Sequence, residues 1–322
     1  MNPILAFLKA SRWLNLLIIA YTQIAIKYFV MDPFIRFHDL EPALSNLDMM
    51  MLIGSTLLIA AAGNIINDYF DLKIDRINKP DRIVVGRFIK RRHAMAAHIA
   101  LTTIGLIIGT ALSIKVGIWQ LFFIHVFWII TLWYYSTELK YLFFWGNLAV
   151  AACIAMVPLS VGLFEIPTLL GNYTEQLQEL DEIRYFFRQF TYHLFFWVLG
   201  FTAFAFLVTL AREITKDIID IEGDKAFYCK TVPISLGIPK TKIFVSVIYA
   251  LILFGVLFIQ QVYVPDLYST IYLGILAILV IATTMLTYRA QNKAEFKRAS
   301  TFNKILTVLG ISYSIIVLVQ LS

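Results

Sequence analysis

Residues 64 to 82 read Asn64-Ile65-Ile66-Asn67-Asp68-Tyr69-Phe70-Asp71-Leu72-Lys73-Ile74-Asp75-Arg76-Ile77-Asn78-Lys79-Pro80-Asp81-Arg82. The stretch follows directly on an apolar run, 49–63, and carries four aspartates. On a helix, Asn67, Asp71 and Asp75 fall at i, i+4 and i+8 and stack on one face, with Asp68 flanking it. Carboxylates gathered on one face at the end of a membrane helix repel one another, and oxygen ligands of this kind suit Mg²⁺. The alternative is a solvated helix whose acids pair with Lys73, Arg76 and Lys79.

The composition decides the solvent of the rest of the chain. Of 322 residues, 60% are hydrophobic and only 15% charged, and the mean hydropathy is +0.77. A soluble domain has about 45–50% apolar and about 25% charged residues, so the fold class is an all-α polytopic membrane protein. Phe (26) and Tyr (16) suit membrane interfaces and a pocket for a long apolar ligand. Cys153 lies in an apolar run and Cys229 in a polar loop, which argues against a disulfide. His93 and His98 are five residues apart and off one helical face, which argues against a zinc site.

Nine apolar runs of near-spanning length can be marked, at 13–31, 49–66, 93–114, 117–136, 145–164, 190–211, 243–264, 267–288 and 305–321. They predict a nine-transmembrane-helix bundle forming one domain, 1–322. The first run is too long for a signal peptide and is read as a retained span. Segments 1–12, 67–92, 137–144, 212–242 and 289–304 hold 22 of the 27 Lys and Arg. By the positive-inside rule the N-terminus and the aspartate stretch are cytoplasmic, which fits a bacterial inner or cell membrane. Lys27 is expected to snorkel at the outer end of its span. Segment 165–188 is read as a short amphipathic surface helix, a solvated cap without chemistry.

A second copy completes the pattern. Residues 212–233 include Arg212, Glu213, Lys216, Asp217, Asp220, Gly223, Asp224, Lys225 and Lys230. Asp217, Asp220 and Asp224 stand 149 residues after Asp68, Asp71 and Asp75. The same D-x₂-D-x₃-D spacing again follows a long apolar run and precedes basic residues and a proline, an internal pseudo-repeat. Both clusters are expected at C-terminal helix ends, where the macrodipole is already negative. Six aspartates there call for cations, and two Mg²⁺ ions would leave positions open for phosphate. Basic donors stand nearby: Lys79 and Arg82 after the first copy, Arg212, Lys216, Lys225 and Lys230 around the second. Any one of these could instead be a topogenic or headgroup charge, the reading preferred for Lys90, Arg91 and Arg92. A diphosphate at the membrane boundary above an aromatic-rich bundle implies a lipid diphosphate. Metals and basic side chains would stabilise the departing charge, and aromatic faces the allylic cation.

These residues resemble the UbiA superfamily of intramembrane prenyltransferases. Asn67-Asp68-x₂-Asp71-x₃-Asp75-x₂-Asn78-x-Pro80-x-Arg82 is similar to its first aspartate motif. Lys216-Asp217-x₂-Asp220-x₂-Gly223-Asp224-Lys225 is similar to the second, and Tyr135-Ser136-x₂-Leu139-Lys140 with Gly146-Asn147 to a third, weaker one. The resemblance implies a lipid-facing tunnel and transfer of a prenyl group from a polyprenyl diphosphate to a lipid-soluble acceptor. It implies Asp71, Asp75, Asp220 and Asp224 as catalytic, and these with Asn67, Asp68 and Asp217 as the metal set. It also implies Arg82, Lys140, Lys225 and Lys216 as diphosphate contacts. The second motif is nearest the branch that alkylates a geranylgeranylglyceryl phosphate-like ether lipid precursor. An aromatic quinone precursor of the 4-hydroxybenzoate, homogentisate or naphthoate type is the alternative acceptor. One departure is Ile83-Val84-Val85-Gly86, where the family commonly has Pro and a Ser-Gly pair.

Two other classes are weighed. An ion-coupled transporter would place its ionisable groups near the midplane, whereas these lie at span ends. A CDP-alcohol phosphotransferase would carry a D-G-x₂-A-R run, which is absent. No nucleic-acid partner and no obligate protein partner is implied.

Overall fold

The computed structural model describes residues 2–173 and 181–321, with the Arg82 side chain outside the described set. Among the described residues the chain is helical and forms no named strand. In order, the helices are α1 (Pro3–Ala10), α2 (Trp13–Phe37), α3 (Asn46–Asn78), α4 (Arg91–Lys115), α5 (Phe122–Thr137) and α6 (Trp145–Asn172). There follow α7 (Asp181–Ile219), the short α8 (Ile221–Ala226) and α9 (Val232–Leu236), then α10 (Ile238–Val262), α11 (Leu267–Arg289) and α12 (Lys293–Leu321).

Eight of these helices are long and apolar enough to cross a membrane. The run expected as a further span, 117–136, opens with Gly117 at φ +78° and a 3₁₀ turn. The 16 residues of α5 follow that turn without a break. At 1.5 Å per residue α5 is about 24 Å long, and the three-residue 3₁₀ turn leading into it adds about 6 Å, against a hydrocarbon core of about 30 Å. The outer surfaces are apolar as well as the core: Ile107, Ile278 and Phe254 are more than 60% exposed on α4, α11 and α10. A bilayer as solvent asks for this.

The helix carrying the quoted stretch outruns its apolar segment at both ends. A reciprocal cap starts α3: the Asp48 amide donates to Ser45 Oγ, and the Ser45 amide donates to Asp48 Oδ2 at 3.0 Å. The helix ends at Asn78, with Pro80 just beyond. Asp68 and Asp71 therefore lie inside a continuous helix, and only Asp75 occupies its last turn. The expectation that each whole cluster sits at a negative helix end is corrected. The dipole acts over one turn and bears on Asp75 and on Asp217 near the end of α7, while Asp224 follows the start of α8.

Two further expectations fail at the other end of the bundle. Lys27 does not snorkel; it is 1% exposed, in a π-helical segment, Ala25–Met31. Its ammonium sits 2.7 Å from Glu165 Oε2 and 2.6 Å from Asp32 Oδ1. Glu165 is fully buried in α6 rather than solvated, and also accepts from the amides of Ala43 (2.6 Å) and Leu44 (3.1 Å). A buried carboxylate needs this cation and these donors, because hydrocarbon offers neither. Of the segment 165–188, α6 holds the part up to Asn172 and α7 starts at Asp181; the short surface helix expected between them falls on 174–180, outside the described residues.

Candidate active site

The two aspartate stretches meet at one end of the bundle. Asn78 Oδ1, at the end of α3, accepts the Gly223 amide of α8 at 2.8 Å. Only glycine permits that approach, since a Cβ there would stand 2.4 Å from Asn78 Nδ2. Lys79 Nζ reaches Asp220 Oδ2 at 2.5 Å. Helix α7 stops at Ile219, and Asp220 (φ −100°, ψ 8°) leads into α8. That break brings Asp220 and Asp224 over the first motif. Replacing Gly223 by alanine should push α8 off α3 and lower turnover by roughly 10²-fold, the cost of a misplacement of about 1 Å. Steady-state kinetics with an unchanged unfolding midpoint would bear this out; wild-type turnover would show that the contact positions nothing.

Between the motifs lies a cavity of about 940 Å³. On its α3 wall, Asn67 Nδ2 donates to Asp71 Oδ2 at 2.8 Å, as the one-face spacing predicts. Asp71 Oδ1 receives Lys140 Nζ at 2.5 Å. Lys140 is aimed there by the turn 139–141, which lies against the start of α6; a Cβ on Gly146 would stand 2.9 Å from Lys140 Cα. Asn147, in the first turn of α6, donates to Asp217 Oδ2 at 2.7 Å. Asp68 turns away from the Asn67 face to meet Arg12 at 3.0 Å. Asp75 and Asp224 line the cavity with no ion pair among the described residues.

Charge in the cavity is unevenly matched. Burial and the neighbouring Asp220 and Asp71 push the Asp224 carboxyl up to about 7, against the pull of Lys79. Burial lowers the Lys79 amine, but Asp220 and Asp75 outweigh it and hold the pKa above the ordinary range, so Lys79 stays charged. Two oxygens, Asn67 Oδ1 and Asp220 Oδ1, are buried without a hydrogen-bond partner among the described residues. Unpartnered oxygens beside crowded carboxylates are the donor set a hard dication takes.

The other site expectations divide. Arg212 and Lys216 line the cavity, both paired to the buried Glu213, at 3.3 and 2.6 Å. Lys225 and Lys230 are exposed and do not line it; the break at Asp220 carries them away, and Lys230 meets Tyr141 only through backbone. Arg82 cannot be placed, its side chain lying outside the described residues. The divergent loop after the first motif has a packing role. Val84 (7% exposed) and Val85 (1%) pack with Ala6, Ala10, Ile65 and Ala94, and Gly86 turns the chain at φ +86°. Valines thus clamp α1 under the site.

Several lining residues carry no role in the sequence reading, among them Arg12 and the α12 residues Lys297, Ser300, Thr301 and Lys304. The last four fall at 0, 3, 4 and 7, a helical-face spacing that could have singled them out.

The sequence profile of the UbiA prenyltransferase family matches residues 40–306, most of the chain. The chain belongs to the UbiA prenyltransferase family. It is an integral-membrane prenyltransferase. Among the relatives of this UbiA chain, the digeranylgeranylglyceryl phosphate synthase of Methanosphaera stadtmanae is 32% identical over 265 residues, covering 79% of this chain and 83% of that one. That of Thermococcus kodakarensis is 30% identical, covering 84% of each. The solved structure of a digeranylgeranylglyceryl phosphate synthase superposes with a TM-score of 0.67 at 22% identity, over 99% of this chain and all of the other. A UbiA homologue from Archaeoglobus fulgidus bound to GPP and Mg²⁺ gives 0.56 at 15% identity, over 98% and 99%. At these identities the superpositions establish the shared fold.

Proposed function

We propose that this UbiA chain transfers a prenyl group from a polyprenyl diphosphate to the hydroxyl of a glycerol phosphate ether lipid, with two Mg²⁺ ions. The observation that carries it is the pairing of the two aspartate motifs across one cavity, with Lys79 on Asp220 and Lys140 on Asp71. The acceptor class is drawn from the relatives named digeranylgeranylglyceryl phosphate synthase. The basic asymmetry of the loops supports a cytoplasmic site.

In this reading Asn67, Asp71 and Asp75 hold one ion and Asp220 and Asp224 the other. No three carboxylate, His or Cys side chains converge on one point among the described residues. Mg²⁺ keeps waters and takes substrate phosphate oxygens beside one or two carboxylates, so the two carboxylates on each side would suffice. Asp68 and Asp217, tied to Arg12 and Asn147, support the walls rather than bind metal. Bound Mg²⁺ supplies the positive charge that stabilises the departing diphosphate. Lys79 and Lys140 neutralise carboxylates at the same rim, where diphosphate oxygens would meet their ammonium groups. The apolar tail follows Trp13 and Leu14, which line the cavity and are 45% and 55% exposed. The prenyl C–O bond breaks, a new ether C–O bond forms, and the hydroxyl proton and diphosphate leave.

The test is an assay of purified protein with radiolabelled geranylgeranyl diphosphate and Mg²⁺ over acceptors. These should include a glycerol phosphate ether, 4-hydroxybenzoate and homogentisate. Product from the ether supports the reading, while product from only the phenols replaces the acceptor.

A pH dependence follows from Asp224. Its folded value, about 7, lies above the ordinary 3.8, so the folded state binds the proton more tightly than the unfolded chain. Metal-free stability contributed by this group is therefore full below about pH 4 and lost as pH rises towards 7. Mg²⁺ should then raise the unfolding midpoint more at about pH 8 than at about pH 5.5. Equal shifts at both would remove Asp224 from the metal set.

A further inference from the structure

We infer that the α12 wall of the cavity, Lys297, Ser300, Thr301 and Lys304 backed by Arg212, is the subsite for the phosphomonoester of the acceptor. The inference rests on the transferase reading above and adds to it the residues that select a phosphorylated acceptor.

The register of α12 is fixed by a buried polar anchor. Asn303, 1% exposed, donates to the Val208 carbonyl at 3.1 Å and the Tyr249 hydroxyl at 2.9 Å. With Asn303 turned into α7 and α10, positions 297, 300, 301 and 304 line the cavity, whereas the neighbouring Arg298 does not. Charges that only set topology have no reason to follow this face; here the spacing of 3, 4 and 7 separates the cavity lysines from the outlying arginine.

The charges on this side do not cancel. Arg12 is matched by Asp68, and Arg212 and Lys216 share the single carboxylate of Glu213. Lys297 and Lys304 make no ion pair among the described residues, and Arg212 Nε is buried without a hydrogen-bond partner. Lys304 lies near enough to Arg212, Lys216 and Arg12 to feel their charge. Such a gathering of like charges is unfavourable until an anion joins it. A phosphomonoester carries about −1.5 to −2 charges near neutral pH and three acceptor oxygens, and takes lysine, guanidinium and hydroxyl donors together. Donor diphosphate is provided for elsewhere, at the carboxylates with Lys79 and Lys140. The α12 wall has no carboxylate in the cavity with which to hold a metal.

The experiment is isothermal titration of the full chain in detergent with two probes, hexadecylglycerol phosphate and hexadecylglycerol. The wild type should bind the phosphorylated probe at least about tenfold more tightly. A Lys297→Gln, Lys304→Gln double variant should lose that preference, and Lys304→Arg should keep it. Binding of geranylgeranyl thiodiphosphate with Mg²⁺ should be unchanged in both. Equal binding of the two probes by the wild type overturns the inference. So does parallel loss of thiodiphosphate binding in the double variant, which would give the wall to the donor. Displacement of the phosphorylated probe by an equal amount of phosphatidylglycerol would make the wall a lipid-headgroup contact and also overturns it. If the double variant fails to fold, Lys297→Gln alone, at an exposed position, carries the same comparison. Failure of the wild type to bind thiodiphosphate counts against the transferase reading, while the two probes still judge the phosphate preference.

Discussion

Asp220→Asn is expected to lower prenyl transfer by roughly 10²–10³-fold, the span seen when one electrostatic anchor at a leaving group is lost. Two features of Asp220 set that size. Its Oδ2 neutralises Lys79 at 2.5 Å, and its Oδ1 is buried and unpartnered among the described residues, free for a cation. Asparagine keeps the shape and one oxygen but removes the charge, so both Mg²⁺ affinity and the stabilisation of diphosphate fall. The loss should be partly recovered at higher Mg²⁺ if affinity is the main effect. It should persist at saturation if the carboxylate acts in the transition state. Initial rates across a Mg²⁺ series distinguish the two. Turnover within about twofold of wild type at every Mg²⁺ concentration would remove Asp220 from the chemistry.

Glu165→Ala is expected to destabilise strongly, by about 3–5 kcal/mol, because it removes a buried charge-assisted bond, leaves Lys27 with Asp32 alone and opens a cavity in α6. The carboxylate also accepts the Ala43 and Leu44 amides, so the alanine variant strands two backbone donors as well. Glu165→Gln should fall between, retaining oxygen for one amide while losing the charge. Lys27→Met combined with Glu165→Leu should recover part of the loss, since an apolar pair removes the desolvation cost, although Asp32 then lacks its lysine. Thermal unfolding in detergent measures all three. A Glu165→Ala midpoint equal to wild type would mean that water reaches this network.

How much of this was legible in the sequence depends on what kind of signal each residue gives. Apolar runs reported the spans because a bilayer selects for them over about 20 residues. They did not report where helices end. Hydropathy stops near Ile66, yet α3 continues to Asn78, because a helix satisfies its own backbone beyond the hydrocarbon. The repeated aspartate spacing indicated that the copies belong to one site, and the Asn67–Asp71 contact follows from that spacing. Closeness in sequence misled at Lys225 and Lys230, which a local break at Asp220 turns away. Lys27 and Glu165 were beyond reach, since their pairing joins residues 138 apart. Each alone has an ordinary surface reading. On α12 the spacing was visible, but basic residues at a span end have a sufficient explanation in topology, which hid the face they share.

Helix α3 begins at the Ser45–Asp48 cap and ends on the Gly223 contact, without interruption. Its 33 residues make a strut about 50 Å long. Its foot is tied beside Glu165 through Leu44, and Lys115 grips it again at Asp48, 2.6 Å away. Along such a strut a tilt of about one degree at the foot displaces the far end by nearly 1 Å, about the error a reacting geometry tolerates worst. Lipid thickness, which sets how membrane helices lean, thereby gains a mechanical route to the spacing between the aspartate motifs.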